Sequence, residues 1–266
     1  MGFDELLRIT PWILTILCAN IIHYRSLWTA REESKDRVRA LRKSAVQSDS
    51  KLEHERLTFD LMRAPAMRKA RYKIKLMRYC GTTLFVLVLK RYHLPELHER
   101  YTIGIITLEV LIVGMLSGLI VVYLNENQEE SFRTLWRPSF DFQSPRIGLF
   151  WDMVRVLGTS VSVPIEEELF YHSWMYRYMV QLLNRHHYKS FTEVPFLKWS
   201  WPAWVASNVI KGIYNGKEWR SYCISGLLFQ WMIGRRGLFL DGVFTHAISN
   251  LTISCWVLLT GQRQYW

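Results

Sequence analysis

An apolar run of 21 residues, from Gly104 to Leu124, limits most strongly how this chain can fold. Its only charged side chain is Glu109, and a helix needs roughly 20 such residues to cross a bilayer. A second run, Leu238 to Gly261, has 24 residues and is interrupted by Asp241 and His246. The mean hydropathy of the whole chain is near zero because charged stretches offset these runs. The sequence therefore predicts an integral membrane protein, in a bacterial inner membrane or an organelle membrane.

Positive charge is concentrated toward the N-terminus. Between Arg25 and Arg78 there are 16 Lys or Arg and 7 Asp or Glu, so this segment carries most of the net charge of +11. The apolar stretch before it, Pro11 to Tyr24, is short for a span and lacks a signal-cleavage site, which predicts a retained anchor. We therefore expect two parts: an N-terminal anchor with a basic helical arm, residues 1–100, and a transmembrane helical bundle, residues 101–266.

The basic arm has two interpretations. Lys and Arg beside a membrane bind anionic lipid, and they offer a docking surface for partner subunits. The alternative is a solvated helix pair that only follows the positive-inside rule. Trp and Tyr are typical of membrane interfaces and helix packing, so no nucleic-acid partner is expected. The four cysteines are far apart without a CxxC pair, which supports neither a zinc ribbon nor a disulfide framework.

Helical periodicity continues after the first apolar run. We predict helices at Trp201 to Tyr214 and Trp219 to Gly234. A further helix is predicted to begin at Ser162, because serine caps helices and Pro164 suits the first turn. This start would place three carboxylates near the positive end of the helix dipole: Glu166, Glu167 and Glu168. The alternative for these residues is a solvated helix N-terminus without chemistry.

Ionisable side chains in the apolar C-terminal half are the candidates for function. They are costly in hydrocarbon, so we expect them to face a hydrated cavity lined by protein. Glu168 and His172 are four residues apart and share one helix face, as do His246 and Asn250. If the two faces meet, a carboxylate and an imidazole could share the proton of an attacking water, and the amide could steady an oxyanion. The alternative is hydrogen bonding that only holds helices together.

The same residues resemble the motifs of the CAAX-protease and bacteriocin-processing (CPBP) family of glutamic intramembrane proteases. The family's first motif, EExxxR, is similar to Glu167 and Glu168 followed by His172. Its last motif, HxxxN, is matched by His246 and Asn250. This resemblance implies an all-α, polytopic transmembrane helical bundle of CAAX-protease type, to which the chain adds a basic helical N-terminal extension.

The resemblance covers roughly residues 148–266. The closing segment, residues 260–266, is similar to the tail of a bacterial subgroup related to proteases that are partnered with exosortases. By the resemblance, Glu167 would polarise the water and Glu168 would support the site through hydrogen bonds. Asn250 would contribute the oxyanion donor.

Two positions depart from the family pattern. His172 stands where the family carries Arg, so the permanent charge and the forked donor geometry are lost. The middle motif, FxxxH, has its best counterpart at Ile210 and Tyr214, and no histidine occurs between His187 and His246. Tyrosine has an ordinary pKa near 10 and is a poor base at neutral pH.

Two functions therefore remain open. The first is an intramembrane endopeptidase that hydrolyses a membrane-anchored protein or peptide with glutamate-activated water, without a cofactor. Its candidate catalytic residues are Glu167, Glu168, His172, Tyr214, His246 and Asn250. The second is a proteolytically silent relative that serves as a scaffold or subunit of a membrane complex. A zinc site built from Glu168, His172 and His246 is a further alternative, although the chain has no HExxH motif, and no bound metal is predicted.

Overall fold

The computed structural model describes residues 72–73, 75–84, 107–126, 138–183, 193–194 and 199–265. Every regular element among them is helical, which confirms the predicted all-α fold for this part of the chain. The predicted anchor and nearly all of the basic arm lie outside the described residues. The division of the chain at residue 100 therefore stays a prediction.

Eight α-helices follow one another along the described chain. They are α1 (Leu108–Leu124), α2 (Pro138–Asp141), α3 (Pro145–Leu157), α4 (Val163–Glu167), α5 (Tyr176–Leu183), α6 (Trp201–Tyr214), α7 (Trp219–Arg236) and α8 (Phe239–Thr260). Two π-helical segments, Gly158–Ser162 and Glu168–Met175, join α3 to α4 and α4 to α5. Residues 145–183 thus form one continuous helix, called the long helix below. A further helical segment, residues 75–84, precedes α1. The predictions for α6 and α7 agree with the structure within two residues.

Among the described residues, α8 is the one helix that is long and apolar enough to span a membrane. Its 22 residues rise about 33 Å, which suits a hydrocarbon layer of about 30 Å. The apolar helix α1 has 17 residues and rises about 26 Å. It begins at Leu108 because Thr107 is extended and its hydroxyl accepts a hydrogen bond from the Val110 amide at 3.4 Å. A polytopic arrangement stays a prediction.

The bundle has polar side chains inside and many apolar side chains outside. On α1, Leu111 and Met115 are exposed, whereas on α8 Asp241, Thr245 and Ser249 are buried. Water-soluble proteins favour the opposite distribution, whereas an apolar exterior suits lipid. This arrangement places the ionisable groups between helices, where they can find partners.

Two glycines allow α1 and α8 to approach closely. A Cβ atom on Gly114 would lie 2.7 Å from Ile248 Cβ, and one on Gly118 would lie 2.7 Å from the Ser249 carbonyl oxygen. The spacing of four residues places both glycines on one face, the pattern by which membrane helices pack at short range. Ser117, beside them, accepts a hydrogen bond from the Ser249 hydroxyl at 3.3 Å.

We expect Gly118→Ala to lower the free energy of unfolding by about 1–3 kcal/mol, because the added methyl group would press on the backbone of α8. Thermal unfolding in detergent, followed by tryptophan fluorescence, measures the change. Gly81→Ala is the matched control, since Gly81 lies in a helical segment and nothing lies within 4 Å of its Cβ position. Equal unfolding temperatures for the two variants would contradict the close approach.

The helix start predicted at Ser162 is wrong. Ser162 has helical dihedral angles and makes no capping hydrogen bond. The Val163 amide donates to the Gly158 carbonyl, which is the bond of a π turn. The Thr159 carbonyl therefore does not receive the Val163 amide, which an α-helix would direct to it. The Asn250 side chain of α8 donates to this carbonyl instead, with 2.7 Å between Nδ2 and the carbonyl oxygen. The three glutamates lie in the middle of the long helix and not at a dipole end.

The helical segment at residues 75–84 packs along the long helix. The Tyr79 ring occupies the space that a Cβ atom on Gly158 would need. The hydroxyl groups of Thr83 and Ser162 form a hydrogen bond of 2.9 Å. The described end of the predicted basic arm is therefore attached to the bundle beside the three glutamates.

Candidate functional site

Glu168 lies at the centre of a buried polar cluster formed by the long helix, α6, α7 and α8. Its side chain is fully buried. Oε2 contacts Nδ1 of His172, one turn later on the same helix, and Oε1 lies 2.9 Å from Nδ1 of His246 on α8. Nζ of Lys211 on α6 is 3.7 Å from the same Oε1. Both oxygens of Glu168 are thus committed to protein side chains.

His172 connects Glu168 to α6 and α7. Its Nε2 lies 3.0 Å from Oδ1 of Asn208, and the Asn208 amide nitrogen donates to the Trp204 carbonyl at 2.8 Å and to Gln230 Oε1 at 2.7 Å. Asn208 Oδ1 is therefore an acceptor, so His172 Nε2 carries a hydrogen. Nδ1, the other ring nitrogen, contacts the Glu168 carboxyl group. His172 is buried and fully engaged, as a structural histidine is.

His246 has one engaged and one open ring nitrogen. Nδ1 contacts Glu168, and the ring stacks on Phe229 with centroids 4.5 Å apart and planes at 16°. Nε2 has no partner among the residues that the structure describes. A carboxylate that contacts one nitrogen fixes the orientation of the ring and supports proton exchange at the other.

Glu167 differs from the other two glutamates because only one of its carboxylate oxygens has a partner among the described residues. Its side chain is 18% exposed, and Oε2 lies 3.3 Å from Nζ of Lys211. Oε1 has no partner within the described ranges. Glu166, by contrast, points toward the helical segment 75–84, where its two oxygens contact Arg78 at 3.1 Å and Thr82 at 3.2 Å. The three adjacent glutamates therefore have three different environments.

Two predicted site residues do not contact the buried cluster. The Asn250 amide donates to the Thr159 carbonyl in the first π segment. The Tyr214 side chain is 71% exposed at the end of α6. The side chain that α6 places against the glutamates is Lys211, three residues earlier. The structure thus brings together Glu167 and Glu168 with His172 and His246, but a catalytic role for any of the six residues stays a prediction.

Lys211, Asn208 and Gln230 were not among the site residues predicted from the sequence. A signal for Lys211 was present, because it is the only charged residue in the apolar sequence of α6 and a charge in such a segment points to a buried partner. Asn208 and Gln230 gave no comparable signal, since either amide could equally have faced outward. Although Glu168 contacts two imidazoles, no group of three His, Cys, Asp or Glu side chains in the described part of the chain could hold a metal ion.

One comparison with known proteins, against family models, matches this part of the chain. Residues 149–252, from α3 into α8, match the family described as type II CAAX prenyl endopeptidase, Rce1-like. The matched range contains all of the buried cluster. Neither the curated proteins nor the solved structures gave a match. Over residues 149–252 the chain is therefore similar to the type II CAAX prenyl endopeptidase, Rce1-like, family, which is the CPBP resemblance that the motifs indicated.

Proposed function

We propose that this chain is an intramembrane endopeptidase that hydrolyses a peptide bond in a membrane-anchored substrate. The contrast between two adjacent glutamates carries the proposal. Glu168 has both oxygens engaged in a rigid cluster, whereas Glu167 is partly exposed and has one oxygen without a partner among the described residues. A carboxylate with a free oxygen beside a fixed carboxylate–imidazole pair is suited to bind and activate water.

In this mechanism Glu167 takes a proton from water while the water oxygen bonds to the carbonyl carbon of the scissile peptide. The carbonyl oxygen becomes negatively charged and needs a nearby donor. Asn250 keeps a second amide hydrogen beyond the one it gives to Thr159, which suits it to this predicted role. The carbonyl then re-forms, the C–N bond breaks and the leaving nitrogen receives the proton. His246 is suited to carry that proton through Nε2.

The family description supports a substrate class. Because the family that matches residues 149–252 is described as prenyl endopeptidases, we propose that the substrate is a lipid-anchored protein. The site lies inside a bundle with an apolar exterior, so a substrate held in the bilayer would reach it more readily than a soluble peptide.

The test is cleavage of lipid-anchored peptides by the purified full-length protein in liposomes, followed by mass spectrometry. We expect two fragments whose masses add up to the substrate plus one water, with heavy oxygen incorporated into the new carboxylate from labelled water. Peptides without the lipid anchor should be cleaved more slowly. Intact peptides after prolonged incubation with folded protein would contradict the proposal.

One observation favours a second candidate, a proteolytically silent relative that binds membrane proteins. Lys211, and not an imidazole, lies against Glu167, so the base expected from the family pattern is missing at that position. For this function we expect no cleavage, together with a stoichiometric subunit that copurifies in mild detergent with both the wild type and Glu167→Gln. Specific cleavage by the wild type would reject it.

A further inference from the structure

Lys211 is the only charged residue of α6, and its side chain lies inside the bundle with 1% exposure. Its Nζ is 5.6 Å from the ring centroid of Tyr171 and 5.3 Å from that of Phe229. Removing an ammonium group from water is expensive unless other charges compensate it. The compensating charges are those of Glu167 and Glu168.

The ammonium group contacts both glutamates at once. Nζ lies 3.3 Å from Glu167 Oε2 and 3.7 Å from Glu168 Oε1. Neither Nζ nor Glu167 Oε2 has a hydrogen-bond partner among the described residues. The contact therefore acts through charge and not through one directed hydrogen bond.

Two carboxylates that follow each other in sequence and lie in the same buried cluster repel each other when both are ionised. Glu168 contacts the imidazoles of both His172 and His246. Glu167 has no such imidazole. Within the described ranges, Lys211 is the only cation at ion-pair distance from Glu167, so this lysine is the charge that fixes the position of Oε2.

We infer that Lys211 is a positioning residue that pairs with the Glu167 carboxylate and draws Oε2 inward, so that Oε1 remains available for water. This inference rests on the proposed function, because it assigns to Lys211 the support that an imidazole would otherwise give to the water-activating glutamate. Lys211 does not itself take the proton from water. Its Nζ is buried away from solvent, and its side chain is only 1% exposed.

Infrared spectroscopy of the full chain in liposomes tests this inference without any substrate. Lys211→Met keeps the length of the side chain and removes its charge. We expect this variant to shift a carboxylate stretching band, because the band responds to the paired ammonium, and we expect the same substitution to cause a much smaller shift in Glu167→Gln. If Lys211→Met does not fold, Lys211→Gln takes its place. An unchanged carboxyl spectrum in the folded uncharged variant would overturn the inference.

Enzyme kinetics provide a second test of this inference. If Lys211 acts through Glu167, Lys211→Met should lower kcat about tenfold or more with little change in KM. The same substitution should have no further effect in Glu167→Gln, because the two residues act as one unit. Lys211→His, which introduces an imidazole at this position, should recover part of the rate. Additive losses in the double variant would overturn the inference. An inactive wild type whose infrared band still depends on Lys211 would reject only the proposed protease function.

Discussion

Replacing Glu167 by glutamine is expected to slow peptide-bond hydrolysis by about 10²–10⁴-fold, the scale of a lost general base. The amide has nearly the size of the carboxylate and still fits beside Lys211. It cannot accept a proton from water, however, so the attacking oxygen would have to lose its proton unaided. The measurement is kcat/KM for a lipid-anchored peptide in liposomes, with wild type and variant at equal amounts of folded protein.

Glu166→Gln is the matched control for this prediction. It is the same chemical change one residue earlier, but Glu166 contacts Arg78 and Thr82 on the neighbouring helical segment and no member of the buried cluster. The kcat/KM of the Glu166→Gln variant should remain close to that of the wild type. Equal losses in both variants would indicate a general disturbance of this turn, and an unchanged rate in Glu167→Gln would remove Glu167 from the mechanism.

Glu168→Ala should produce the largest loss of stability, about 3–5 kcal/mol in the free energy of unfolding. Glu168 is the common partner of His172, His246 and Lys211. Removing it leaves the buried ammonium of Lys211 with only Glu167 for compensation, and it leaves two imidazole nitrogens without an acceptor. Breaking a buried charge pair costs about 3–5 kcal/mol. Thermal or denaturant unfolding in detergent measures the change.

The same truncation at Glu166 provides the comparison. The Arg78 side chain that pairs with Glu166 is 48% exposed, and an exposed ion pair contributes only about 0–1 kcal/mol. The free energy of unfolding of Glu166→Ala should therefore be close to that of the wild type. If Glu168→Ala were as stable as Glu166→Ala, the buried cluster would not contribute to the stability of the bundle.

The helical class could be predicted from the apolar runs, because only helices satisfy every backbone group within one segment in a membrane. The start of a helix at Ser162 could not be predicted correctly. The residue types favour a cap there, but the π turn leaves the Thr159 carbonyl to Asn250 of α8. That carbonyl finds its donor 91 positions away, and a local pattern contains no information about it.

The site could be predicted in part for a similar reason. Glu168 and His172 are four residues apart, and helical geometry brings any such pair together. Their meeting with His246 depends on how α8 packs against the long helix. The motif resemblance indicated this meeting, but it did not indicate the lysine that α6 contributes.

The sequence by itself determined that the chain forms apolar helices with carboxylates and imidazoles buried between them, because the period of the helix and the cost of charge in hydrocarbon leave few other solutions. Only the tertiary structure decided which side of α6 faces the glutamates. A helix that contacts lipid on one side and protein on the other has apolar residues all round, so its pattern does not define an inner face. The rotation of α6 about its axis, which packing sets, buries Ser207, Asn208 and Lys211 and leaves Tyr214 exposed. This rotation places the ammonium of Lys211 beside Glu167.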